Sequence, residues 1–462
     1  MNRTEEYRAL LAELEQTPPA LESTVQRALD REKREKRRKR RIFGIPAGSL
    51  AACFLGFVLL VNLFPPFAYA CGRVPVLRAL AQAVAWSPSL SAAVENEYVQ
   101  PIGQSQTENG ITATIEYLIV DQKQVNIFFT LKGEGYKTLS TDFPEFTPEQ
   151  ACSKIGAMSG QAPGTLLSFS LDYPEEVPDG FTMTFGVTGE RAGEEEPSPE
   201  YSGADQSIAD EMLGPRPAEE REILAEFTFD LQFDPQFTDQ GEIIPVNETF
   251  QMDGQTLTVT EAEIYPTHVR INVEGDPANT AWLKGLDFYL ENEDGERFDT
   301  ITNGVSASGD EDTPAMVSFR LESPYFSDCE HLTLSVTGAE WLEKEHERVY
   351  VDLKHGTAPW LPEGVTLTSA QLREGGWFLK FQVAPTDGPA SSPFSMYFYD
   401  AEGNQWETDQ IGFSSSVFST SGDQEPGYVM LPLQDYREDQ VWLEAYYSHD
   451  TTEDTPIVIP IR

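Results

Sequence analysis

A pattern that recurs three times restricts the fold of this chain more than any other feature. "NGITATIEYLIVDQKQVNIFFTLKG" begins at Asn109, "DGQTLTVTEAEIYPTHVRINVEG" at Asp253 and "EGVTLTSAQLREGGWFLKFQV" at Glu363. With Gly110, Gly254 and Gly364 level, Thr112, Thr256 and Thr366 coincide. Alternating apolar sets follow: Val125, Ile127, Phe129; Val269, Ile271, Val273; and, after a shorter loop, Trp377, Leu379, Phe381. Further on, "LLSFSLDYPEEVPDGFTMTFGV", "MVSFRLESPYFSDCEHLTLSVTG" and "YVMLPLQDYREDQVWLEAYY" each give a strand, a polar turn and a second alternating strand. The second and third units also share a middle hairpin, "LDFYLENEDGERF" beside "MYFYDAEGNQW". Period-two alternation of β-branched and aromatic residues, broken by Gly, Asp, Asn and Pro, is the pattern of antiparallel strands with one buried face. Roughly seven short strands in about 110 residues imply an immunoglobulin-like β-sandwich in architecture, without antibody-type Cys…Trp…Cys spacing.

The repeats place three sandwiches at 95–240, 241–355 and 356–462. The first is longer because it holds an acidic insertion, 189–222, rich in Glu, Pro and Gly. That composition predicts a surface loop, with one helical turn at Ile208 to Leu213.

The beginning of the chain has a different character. Ile42 to Phe64 is a run of 23 residues without a charged side chain, long enough as a helix to cross a hydrocarbon core. Lys33, Arg34, Lys36, Arg37, Arg38, Lys39, Arg40 and Arg41 lie directly before it. Basic residues are retained on the cytoplasmic side, so this block sets the amino terminus inside and everything after Phe64 outside. The expected arrangement is one transmembrane helix at 42–64 in the cell membrane. "AYAC" offers a signal-peptidase or lipoprotein-type site before Cys71, but the apolar run exceeds a usual signal-peptide core. Residues 65–94 form a juxtamembrane linker, in which Leu77, Leu80, Ala81 and Val84 make one face of a short helix. That face is expected against the first sandwich rather than on the lipid surface.

Inside, residues 1–41 give two helical stripes split by Pro18 and Pro19: Tyr7, Leu10, Leu11 and Leu14, then Leu21, Val25, Ala28 and Leu29. So short a segment cannot bury both stripes unaided, which implies a partner or self-association. Tyr7, Leu10, Leu11, Leu14, Leu21, Val25 and Leu29 are the candidate partner-binding residues.

Charge divides the chain in the same place. Residues 1–41 carry twelve Lys and Arg against eight Asp and Glu, while residues 65–462 carry twenty against sixty-eight, within a total of −44. The outer part is thus too acidic to grip nucleic acid by neutralising phosphates. Signals of catalysis are missing: His268, His331, His346, His355 and His449 form no HxH or HExxH, and there is no GxSxG, P-loop or Gly-rich dinucleotide turn. "EKEHERV", around His346, has acid and base neighbours but lacks the second zinc ligand. "ENEDGE" at Glu291 and "DAEGN" at Asp400 lack the residue order of a calcium loop and fall where hairpin turns belong. Cys53 lies in the apolar run, and Cys71, Cys152 and Cys329 show no CxxC spacing, so Cys152 and Cys329 are read as buried free thiols. The reading is of a non-enzyme with no cofactor and no metal.

The order "EYRALLAELEQTPPALESTVQRA", basic block, apolar run, "RVPVLRALAQAVAW", then "ENGITATIEYLIVDQKQVNIFFTLKG" and "VNETFQMDGQTLTVTEAEIYPTHVRINVEGDPANTAWLKGLDFYL" resembles a group of Gram-positive single-pass membrane proteins of unknown function. These often accompany extracytoplasmic-function sigma factors and are regarded as anti-sigma-factor-like. The resemblance implies a transmembrane regulator whose outer sandwiches sense an envelope ligand or protein while the inner helices hold a cytoplasmic partner such as a sigma factor. It transfers no ligand set, since the inner segment has no His…CxxC motif. The alternative is an envelope structural or adhesion protein whose inner segment is only an anchor.

Overall fold

The computed structural model describes residues 80–156, 160–192, 212–213, 222–301, 305–310, 312–327, 329–384, 392–413 and 427–462. These are mainly β, arranged in several antiparallel sheets with few helices. No helix among the described residues is long and apolar enough to cross a membrane. The expected span at 42–64 and the inner segment 1–41 lie outside them.

Strands of the first repeat are β1 (Gln100–Glu108), β2 (Ile111–Val120), β3 (Gln124–Gly133), β4 (Tyr136–Thr141), β5 (Glu145–Thr147), β6 (Ser153–Gly156), β7 (Leu166–Asp172), β8 (Gly180–Arg191) and β9 (Ala225–Gln232). One sheet runs β1-β2-β3-β7-β6; in the other, β8 carries β4 and β5 on one edge and β9 on the opposite edge. Inward residues of both sheets, among them Ile127, Phe129, Phe169, Phe185 and Phe229, make one core. The turn between β1 and β2 has positive φ at both Asn109 (50°) and Gly110 (80°), the two-residue hairpin geometry that Asn-Gly favours. Asp253 and Gly254 repeat it at 49° and 73°.

The second repeat contributes β10 (Glu242–Met252), β11 (Gln255–Ile264), β12 (Val269–Gly275), β13 (Ala281–Asn292), β14 (Arg297–Phe298), β15 (Ala307–Gly309), β16 (Met316–Leu321), β17 (Leu332–Glu343) and β18 (Arg348–Asp352). The third contributes β19 (Val365–Arg373), β20 (Gly376–Val383), β21 (Phe394–Tyr399), β22 (Gln405–Glu407), β23 (Gly412–Phe413), β24 (Gly427–Gln434), β25 (Gln440–Ala445) and β26 (His449–Pro460). Sheet order β10-β11-β12-β16-β15 reproduces that of the first repeat, and β19-β20-β24-β23 reproduces it without the first strand.

The opposing sheets depart from the expected boundaries at 355 and 356. They run β14-β13-β17-β26 and β18-β25-β21-β22, so the last strand of each repeat completes the sandwich of the other. Ile459 and Ile461 are buried with Trp341 in the second core, while Val349 and Val351 are buried with Phe398 in the third. The physical reason is continuity: Ser448 N bonds the carbonyl of Trp341, which starts the ladder that lays β26 along β17.

A register shift between Ile115 and Tyr117 re-aims β2. Ile111, Ala113, Ile115, Leu118 and Val120 all join the sandwich core, while Tyr117 and Ile119 face the other way. There they meet Leu80 of a helical turn at 80–83, Val84 just after it, and Leu90 and Ala93 of helix α1 (Pro88–Glu95). The segment before the first sandwich is therefore packed on it. Helix α2 (Pro235–Thr238), between the first two sandwiches, adds Phe237 to the same cluster.

Candidate functional site

Two places gather polar side chains from distant parts of the chain. The first is the junction of the entering segment with the first and second sandwiches. Ser87 caps α1, its hydroxyl accepting from Leu90 N at 3.3 Å, and Pro88 occupies the first turn where no donor is needed. Glu322, just after β16, reaches that helix start: its Oε2 accepts from Ser89 N at 2.8 Å, from the Ser87 hydroxyl at 3.1 Å and from the Ser89 hydroxyl. A carboxylate is favoured there because the first-turn N–H groups lack helical partners. Tyr98 donates its hydroxyl to the carbonyl of Phe237, and burial pushes its pKa up.

Beside this clamp, the two sandwiches share buried charges. Asp172, at the end of β7, accepts from Arg270 Nη2 and Arg320 Nη2 of the second sandwich, each at 2.8 Å. Asp121 accepts from the backbone N–H groups of Lys123 (3.0 Å), Gln124 (2.8 Å) and Thr267 (3.1 Å). The Thr267 hydroxyl lies 2.5 Å from its Oδ2. Burial raises the pKa of Asp121, and these hydrogen bonds oppose the rise. His268 Nε2 accepts from Arg270 Nε at 3.0 Å, which leaves the ring proton on Nδ1, 2.8 Å from Thr267 Oγ1. Burial, and then the positive charge of Arg270, Arg320 and Lys123, hold His268 well below its ordinary pKa, so it is neutral here. Two carboxylates and two guanidinium groups thus meet with a neutral imidazole, in a buried site where an unpaired charge would be costly.

The second place is a cavity of about 590 Å³ between the second and third sandwiches. Its lining includes Asp253, Glu343, Glu363, Trp360, Ser448 and His449, and contains no Lys or Arg. His449 Nε2 is 2.7 Å from Asp253 Oδ2, and its Nδ1 is 3.8 Å from Glu343 Oε1. Glu343 also hydrogen-bonds His346, whose ring stacks on Trp360 at 3.8 Å between centroids. Potential ligand atoms of Glu343, Glu345 and His346 lie within 4.8 Å of one another. The fold thus brings beside "EKEHERV" a second histidine, His449, that sequence spacing did not reveal. A cleft with this lining suits a cationic group.

The turns at Asn292 and Asp400 are hairpin turns whose side-chain oxygens are engaged by backbone N–H groups of the turn itself. Cys152 and Cys329 are free thiols, but half-buried rather than buried as expected. The candidate partner-binding residues Tyr7, Leu10, Leu11, Leu14, Leu21, Val25 and Leu29 lie outside the described residues. So do the topology residues Lys33, Arg34 and Lys36 to Arg41.

The fold and the junction define a protein of β-sandwich-like antiparallel sheets clamped through buried charges. Two family descriptions match it: residues 37–133 match a domain of unknown function (DUF4179) and residues 241–368 a family of unknown function (DUF5643). The contacts of Asp121 with Thr267 join these two matched regions. Among solved structures, the crystal structure of the conserved domain protein from Bacillus anthracis is similar at 12% identity and a TM-score of 0.38, over 59% of this chain and 82% of that one. No curated protein matches.

Proposed function

We infer that this chain is a non-enzymatic, single-pass membrane regulator of the anti-sigma-factor-like kind. Residues 42–64 cross the cell membrane, tandem immunoglobulin-like sandwiches outside bind an envelope ligand or protein, and residues 1–41 hold a cytoplasmic partner, a sigma factor in first place. The observation that carries this reading is the clamp on residues 80–98. An anchor that served only to tether would need no more than a loose linker. Here the segment that follows the apolar run is buried against the first sandwich through Leu80, Val84 and Leu90, and bound to the second through Glu322. A ligand that changes how the two sandwiches meet acts directly on that segment, and the carboxylate-lined cleft between the second and third sandwiches offers a place for a cationic part of such a ligand.

The test replaces Leu10, Leu14, Leu21 and Val25 by Asp in the full-length chain and measures partner recovery by crosslinking. Capture should be lost while membrane insertion is kept, because a charge buried on binding without a matching group is unfavourable. Transcription of the partner's regulon should rise without envelope stress if that partner is a sigma factor. Normal recovery from a correctly inserted variant would leave the inner segment an anchor and favour a structural or adhesive role.

A further inference from the structure

Met212 and Leu213 come from the acidic insertion of the first repeat, yet both are buried against the third sandwich. They sit on the outer face of the sheet β19-β20-β24-β23, where Phe378 points away from the core of its own sandwich and Met430 lies beside it. Phe378 is only 4% exposed because these two residues cover it.

Three further features suit this face to a peptide rather than to a chance contact. The carbonyl oxygen of Met212 accepts from the side-chain amides of both Gln410 (3.3 Å) and Gln434 (3.2 Å). Gln434 is oriented for this, since its Oε1 lies 2.7 Å from the hydroxyl of the fully buried Thr408, leaving its NH₂ for the peptide. The third feature is the absence of side chains where the visitor approaches. A Cβ on Gly375 would lie 2.3 Å from the carbonyl oxygen of Leu213, and its three nearest neighbours would all be atoms of Leu213. A Cβ on Gly412 would lie 2.8 Å from the Met212 Cε.

We propose that this face is a peptide-docking groove that takes two adjacent apolar residues without branching at Cβ, and that its resident occupant is the chain's own Met212–Leu213. It reads the backbone with two side-chain amides and the side chains with an apolar floor, around a residue pair that is helical. The occupant holds the groove shut against a competing peptide and ties the first repeat to the third sandwich. This stands independently of the membrane reading.

The test uses the full-length chain and a fluorescent peptide of its own residues 205–219, followed by anisotropy. Wild type should bind the peptide at least ten-fold more weakly than a chain carrying Met212→Asp and Leu213→Asp, in which the groove is vacated. A Met212→Gly, Leu213→Gly chain should behave as the Asp form does, without introducing charge. Adding Gly375→Ala to either vacated chain should return binding to the wild-type level, since the three atoms nearest the new methyl all belong to the docked Leu213, and thermal unfolding should be unchanged by it. The proposal is overturned if both vacated chains, folded by thermal unfolding, bind no better than wild type, or if Gly375→Ala leaves their binding intact.

Discussion

Asp172 takes both of its guanidinium partners from another sandwich, so its loss would leave Arg270 and Arg320 buried without a counter-charge. Asp172→Ala should therefore cost about 3–5 kcal/mol in denaturant unfolding, well above the effect of removing an exposed pair such as Lys354 with Asp439. A different kind of strain sits on the outer face of β17. Glu340 is directly opposite Asp450 on β26; burial first, then Asp450 and Asp287, push its pKa up to about 7, with Lys284 opposing them. The folded state then holds a proton that the unfolded chain releases near pH 4.5. Its contribution is complete below that pH and is lost as the pH rises through 7. Glu340→Gln should accordingly raise the unfolding midpoint at pH 8 and leave it nearly unchanged at pH 4.5, as read by thermal scans at the two pH values. Neither position stood out in the sequence. Arg270 alternates with Val269 and Ile271, and an alternating charged residue ordinarily faces water; only the second sandwich's approach to the first makes that outer face an interior. Such a signal is legible afterwards in "HVRIN" and "SFRLE", where a strand otherwise apolar carries an arginine.

At the scale of elements, the strands themselves were legible. The three aligned sets at 125–129, 269–273 and 377–381 are all buried in β3, β12 and β20, because alternation on a half-buried sheet is imposed by the pleat. Their partners were less so. Repeats reveal which segments are strands, but which edge a closing strand joins depends on where the chain turns, and β18 and β26 join each other's sandwiches. A fragment 241–462 should consequently unfold as one cooperative β unit by circular dichroism. A fragment 241–355 should not, since β17 would lack its neighbour and Leu334 and Trp341 would lose the cover of Ile459 and Ile461. Two independent transitions from 241–462, or cooperative folding of 241–355, would contradict the exchange.

For the whole molecule, the clamp at α1 predicts that disturbing the second sandwich is felt at the segment preceding the first. Glu322→Ala removes the acceptor for Ser87 and Ser89. Hydrogen exchange at residues 88–98 should speed up by roughly ten-fold or more, as expected for a loss of order 1.4 kcal/mol or greater, while β8 and β9 stay protected. Unchanged exchange at 88–98 would mean that apolar packing on Tyr117 and Phe128 suffices to hold the segment. The exchanged strands also set an order of events during synthesis. The ribosome delivers β17 before any of the third repeat, but β26 only after the rest of it. The second sandwich, begun earlier, must therefore wait with an open edge while its neighbour is translated. Whatever shelters a growing chain has to protect that edge until both sandwiches can be finished together.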